Sequence, residues 1–251
     1  MGMLAAAFAL FCLATFPAAV YAAKDDGAEI KLLVQSDKIG AARTALKLAA
    51  KPDKRYQIYF VDTAKFGLSN AQLILRLRDK GKSQTETTVK FRPADSSLPL
   101  DKKWRGKLEK EVEWLVGKGE NISYSLKQEI EGTDLLKRPG ENLDALFSGE
   151  QKKLFKDIMK KEFDPAKLTV FGPIAAEIWE WKEDAVDDKV SAELWHLGAE
   201  QILEVSRKAK TENLENKAAE FAAAFKSKGI ALAANPESKT RKALEYYSKH
   251  P

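Results

Sequence analysis

The chain has one cysteine, Cys12, and two histidines, His196 and His250. Cys12 lies in the first twenty residues, so the remainder of the chain has neither a disulfide framework nor thiol chemistry. Two isolated histidines exclude a Cys/His metal cluster, and no Ser/His/Asp set accompanies them; both read as structural or solvent-facing. No Gly-rich phosphate loop is present. Nor is there an arginine-rich run or a basic stretch interleaved with aromatics, so nucleic acid is not an expected partner. Charge of one sign is also scarce: 42 basic against 37 acidic side chains leave +5.

Long apolar runs are absent except at the start. Met1 to Ala23 holds no charged residue. Its apolar stretch from Leu4 to Phe16 is broken by Pro17 and followed by small residues. That run is too short for the ~20 residues of a membrane-crossing helix. Val20-Tyr21-Ala22 offers a peptidase site. Residues 1–22 therefore read as a secretory signal peptide and 23–251 as one domain, periplasmic or secreted, with no membrane attachment after cleavage. With 31% charged and 44% apolar residues, that domain is globular.

The first half reads as short alternating strands: 29–34, 55–62, 71–78, 84–92, 109–116 and 122–130. A helical stretch over 37–50 comes after the first. Residues 132–163 read helical, with Ser148-Gly149-Glu150-Gln151 opening an amphipathic stretch. Strands return at 168–171, 175–182, 190–197 and 201–208, and helices at 211–228 and 238–249. Eight or more strands with helices around them predict an α+β chain built on a closed antiparallel barrel.

Alternate residues of a strand share a face. Glu29 and Lys31 therefore stand together, as do Arg76 with Arg78. Glu86, Thr88, Lys90 and Arg92 share a face, as do Glu109, Glu111 and Glu113, and Glu204, Ser206 and Lys208. Such faces are either solvated over an apolar core or turned into a barrel lumen behind an apolar outer wall. Segregation of basic from acidic strands, and ample amphipathic helix to cover an outer wall, favour the lumen. Guanidinium and ammonium groups there would grip phosphoryl oxygens while carboxylates hold a divalent cation.

Several segments match a known pattern in order. They are Tyr59-Phe60-Val61-Asp62-Thr63, Leu75-Arg76-Leu77-Arg78, Thr88-Val89-Lys90, Glu111-Val112-Glu113, and the later run from Leu168 to Ile174 with Ile202-Leu203-Glu204-Val205 and Lys239 to Glu245. Together they resemble the CYTH superfamily of triphosphate tunnel metalloenzymes, in particular an exported bacterial branch. The resemblance implies an eight-stranded antiparallel tunnel that binds a small polyphosphate anion through Mg²⁺ or Mn²⁺. Carried over by position, Lys31, Arg76, Arg78 and Lys90 contact phosphate, with Arg92 and Lys208 on the same faces. Glu29, Glu111, Glu113 and Glu204 bind or orient the metal. The implied activity is metal-dependent hydrolysis of inorganic triphosphate, another short polyphosphate or an organic triphosphate. A binding module that has lost turnover is the alternative, and an adenylate cyclase a weaker one.

Two departures from that pattern stand out. The opening Glu-x-Glu-x-Lys strand reads Gly27-Ala28-Glu29-Ile30-Lys31, so its first carboxylate is missing. A glutamate restored at Gly27 is expected to strengthen the metal site. After Gly172-Pro173, where basic side chains belong, Ile178 and Glu180 share one face and Trp179 and Trp181 the other. These tryptophans and Trp195 read as barrel-wall packing.

Overall fold

The computed structural model describes residues 27–81, 84–93, 101–131 and 139–250. The expected signal peptide and part of the 132–163 stretch lie outside them. Nine strands form the body: β1 (Ala28–Leu33), β2 (Lys54–Asp62), β3 (Leu73–Asp79), β4 (Gln84–Phe91), β5 (Glu109–Leu115), β6 (Gly119–Glu131), β7 (Thr169–Glu183), β8 (Asp188–Leu197) and β9 (Glu200–Ala209). They close in the order β1-β5-β6-β4-β3-β2-β7-β8-β9. β1 completes the ring, lying antiparallel to β9 and parallel to β5.

The barrel is therefore mixed and nine-stranded, where eight antiparallel strands were expected. The two stretches separated by Gly172-Pro173 are one strand, β7. It passes that dipeptide through a cis peptide bond, and its register with β2 shifts between Ile58 and Phe60. The bulge absorbs a residue that sequence alone reads as a break.

Among the described residues six α-helices surround the strands: α1 (Ile39–Ala45), α2 (Gly67–Asn70), α3 (Leu143–Leu146), α4 (Gly149–Met159), α5 (Leu214–Ser227) and α6 (Lys239–Lys249). α4 opens where expected, on a capping box. Ser148 Oγ accepts from the Gln151 backbone N–H, and the Gln151 side chain accepts from the Ser148 N–H. Its buried Leu154 and Phe155 cover Leu73, Leu75, Leu77 and Val89, the outward residues of β3 and β4. α5 sets Ala218, Phe221 and Phe225 on outward Ile30, Leu32, Val190, Ala192, Leu203 and Val205. α1 is shorter than the expected 37–50, because the chain turns at Lys47, whose φ is 52°. Two helical faces thus supply the apolar cover that an inward-facing polar lumen requires.

A second group of inward residues is apolar and packs against α6. Leu33, Ile58, Phe60, Ile74, Ile174, Ile178, Trp195 and Ile202 cluster with Ala243 and Leu244 of that helix. Trp179 packs on the outer wall against α1 and α5 residues, and its indole N–H donates to the Ala49 carbonyl at 2.9 Å. His196 sits beside Glu177 at 3.4 Å, and His250 is exposed.

Candidate functional site: a charged wall inside the barrel

Cross-strand register brings the alternating polar residues together. Arg76 lies opposite Thr88, and Thr88 opposite Lys127. Lys90 lies opposite Ser125, Glu111 opposite Ser123, and Lys31 opposite Ser206. Their direction follows from the ion pairs. β6 lies between β4 and β5, yet Lys90 on β4 reaches Glu111 at 2.6 Å and Glu113 at 3.2 Å on β5. The opposite, apolar faces of these strands are covered from outside by α4 and α5, so the side on which these bonds span β6 is the lumen.

Every expected phosphate contact except Lys208 is in this network. Lys31 pairs with Glu113 at 2.8 Å and Glu29 at 3.2 Å. Arg76 and Arg78 both meet Glu86, at 3.1 and 3.4 Å. Arg92 lies 3.9 Å from Glu113. Lys208 faces Glu29 across the β1–β9 ladder but is exposed at the strand end. The buried Nε–H groups of Arg76, Arg78 and Arg92 have no hydrogen-bond partner, nor does the Ser123 hydroxyl, which is fully buried.

The expected metal ligands divide. Glu29, Glu111 and Glu113 stand on the adjacent strands β1 and β5, whereas Glu204 is drawn into a separate contact. Lys239, the first residue of α6, is buried against both Glu193 and Glu204, 3.1 Å from the latter. Among the described residues no group of three or more His, Cys, Asp or Glu is arranged to hold a metal ion. Nor does the missing first carboxylate have room. A Cβ on Gly27 would lie 2.7 Å from the Ala209 carbonyl oxygen, so a glutamate there must shift the backbone before it can reach the site.

The fields inside the lumen are strong. Burial pushes the Glu113 carboxyl up, but Lys31 and Lys90 outweigh it and hold it well below the usual range. Glu111 is likewise depressed against burial by Lys90 and Lys127. Burial opposes ionisation of Glu86 too, and Arg78, Lys80 and Arg76 bring it to about 2. For Glu204 burial prevails over Lys239 and Lys31, so its carboxyl is raised. Burial, with Arg78 alongside, lowers Arg76 to about 10. Burial disfavours the charged Lys31, yet Glu113 and Glu29 raise it well above its ordinary value.

Four charged residues join the site that the sequence reading did not assign to it: Glu86, Lys127, Glu193 and Lys239. The first three were within reach, since each alternates with other polar residues on its strand. Lys239 was not, because it comes from a helix whose docking no periodicity reveals.

A closed barrel with helices outside and opposed charges within agrees in outline with the fold that the sequence resemblance implies. No family model and no curated protein matches the sequence. Solved structures do. The chain is similar to a protein from Hippeastrum described as a candidate adenylyl cyclase with a dominant triphosphatase activity. The identity is 18% and the TM-score 0.61, over 86% of this chain and 94% of that one. It is also similar to a candidate adenylate cyclase from Bacillus halodurans, at 16% identity and a TM-score of 0.58, over 86% and 96%. At these identities the likeness establishes the fold.

Proposed function

We propose that this chain takes a short polyphosphate, inorganic triphosphate or the triphosphate of an organic molecule, into its lumen and hydrolyses it with a divalent cation, Mg²⁺ or Mn²⁺. The observation that carries the reading is the convergence of Lys31, Arg76, Arg78, Lys90 and Arg92 on one cavity wall with three buried guanidinium Nε–H donors unused. A buried unsatisfied donor costs about 1–3 kcal/mol, and an anion with several acceptor oxygens removes that cost at all three positions.

Mg²⁺ is commonly held by one or two carboxylates, with phosphate and water completing its shell. Glu111 and Glu113 fit that demand once phosphate draws Lys31 and Lys90 away, with Glu29 beside them. A cation bound there would neutralise charge on the phosphoryl oxygens. Arg76 and Arg78 would grip the phosphoryl group and stabilise the charge that develops on it. Release of phosphate from tripolyphosphate by the purified protein, with Mg²⁺ or Mn²⁺, supports this. No release alongside tight binding leaves the binding module, a reading favoured by the closed approach at Gly27. The adenylate cyclase reading is weaker still, since the apolar wall is packed upon itself and α6.

We also propose that the domain works outside the cytoplasm. N-terminal sequencing of the exported protein should begin at or near Ala23, and a product beginning at Met1 contradicts it.

A further inference from the structure

The carboxylates that a divalent ion would need are held by the chain's own ammonium groups. Glu113 Oε1 accepts from Lys31 at 2.8 Å and from Lys90 at 3.2 Å. Glu111 Oε2 accepts from Lys90 at 2.6 Å, while its Oε1 takes Ser125 at 3.0 Å and Lys127 at 2.9 Å. Glu29 Oε1 accepts from Ser206 at 2.9 Å, and its Oε2 lies 3.2 Å from Lys31. A cation brought to this lumen alone meets ammonium groups on the oxygens it would coordinate, and must displace them within a partly buried space.

A polyphosphate arriving alone meets the converse difficulty. Within the lumen Lys31, Arg76, Arg78, Lys90, Arg92, Lys127 and Lys239 are all engaged by Glu29, Glu86, Glu111, Glu113, Glu193 and Glu204. An anion that took those cations would leave buried carboxylates without partners, which is costly. Neither ligand suits the resting lumen, but together they do. Phosphoryl oxygens can accept from Lys31 and Lys90, and the carboxylates so released can accept a divalent ion.

We infer that Lys31 and Lys90 act as an exchange switch, so that polyphosphate and divalent metal bind this tunnel only in mutual dependence. The inference rests on the polyphosphate reading and adds a coupling to it. Because binding linkage is reciprocal, each ligand raises the other's affinity by the same factor. Glu111 and Glu113, two apart on β5 and facing the same way, are the pair that changes partner. The same geometry excludes a preformed metal site and also a tunnel that holds polyphosphate equally well without metal.

The test reads metal occupancy directly, without turnover. Mn²⁺ retained by the protein is measured by the loss of its free-ion paramagnetic resonance signal, with and without inorganic tripolyphosphate. Free Mn²⁺ is held constant to allow for chelation by tripolyphosphate. Tripolyphosphate binding is measured by calorimetry in EDTA and in Mn²⁺. The expected result is a gain of about tenfold or more in each affinity when the other ligand is present, within the range usual for coupled sites. Lys90→Met, which frees Oε2 of Glu111 and removes one of the two lysines on Glu113 Oε1, should bind Mn²⁺ without tripolyphosphate about tenfold more tightly than the native chain. Lys31→Met should do the same in part, with folding of both variants checked by near-ultraviolet circular dichroism. Equal Mn²⁺ binding with and without tripolyphosphate overturns the inference, as does equal tripolyphosphate binding in EDTA and Mn²⁺. Folded Lys→Met variants that still fail to hold Mn²⁺ alone overturn it as well. If tripolyphosphate binds under no condition, the polyphosphate reading itself falls, and the coupling with it.

Discussion

The two sides of the lumen are built on opposite principles. On β1, β5, β6, β4 and β3 the inward residues, Leu33 and Ile74 apart, include charged and hydroxyl side chains held in ion pairs and partly exposed to the cavity. On β2, β7 and β8 the inward residues include Ile58, Phe60, Ile174, Ala176, Ile178 and Trp195, at most 6% exposed, packed on one another and on α6. The apolar side also locks α6 in place, while the charged side keeps three orphan guanidinium donors. If the charged arc takes the proposed anion, stability and ligand recognition fall to different arcs of one ring, and substitutions on the two should have separable effects.

The largest effect should come from the apolar arc. Phe60 is 1% exposed and stacks at a tilt on Trp195, with ring centroids 6.0 Å apart. Phe60→Ala should lower unfolding stability by about 3–5 kcal/mol, measured by urea denaturation. A loss below about 1 kcal/mol would mean that this arc does not hold the barrel together. Arg76→Ala tests the other arc. With Mg²⁺ present, tripolyphosphate at ~100 times its dissociation constant stabilises the native chain by about 2.7 kcal/mol, and the variant should lose most of that gain. Its ligand-free melt should hardly move, because Glu86 keeps Arg78 at 3.4 Å and Lys80 at 2.8 Å. The opposite pattern, a weakened free protein with ligand stabilisation intact, would reverse the assignment of the two arcs.

Smaller effects sharpen the boundary. Gly27→Glu should cost about 1–3 kcal/mol through crowding against the Ala209 carbonyl, seen as a lowered melting temperature with no gain in metal affinity. Acid should act on the charged arc through Glu86. Glu86 is depressed to about 2 in the folded chain, against about 4.3 for an unperturbed glutamate. Between those values the unfolded state binds more protons, so this contribution is complete above about pH 4.3 and is lost as pH falls toward 2. Glu86→Gln should flatten the stability profile across that window, which a pH series of denaturant melts detects. An unchanged slope would show that its ion pairs contribute nothing.

Much of the charged arc could be read from the sequence, since alternation in a strand is a matter of counting. Arg76 with Arg78, Glu111 with Glu113 and Lys90 opposite its neighbours all lie where a period of two places them. What alternation cannot decide is which face of a strand meets water. That is settled by the cover of α4 and α5 outside and by pairs such as Lys90–Glu113 that cross the cavity. Two of the ten strand stretches in the sequence form one strand through Gly172-Pro173, because a bulge and a chain break look alike in one sequence. The 37–50 stretch was read too long because a left-handed turn at Lys47 has no distinctive residue type. Lys239 was invisible for a different reason: its position depends on the docking of a whole helix against the barrel.

The central claim is that one wall of the lumen is an anion site. Calorimetric titration of the purified protein with tripolyphosphate in the presence of Mg²⁺, beside the Arg76→Ala/Arg78→Ala double variant, tests it most directly. One binding event per chain is expected in the native protein, and none at the same concentrations in a folded double variant. Equal binding by the two proteins, or no binding by the native one, would contradict it.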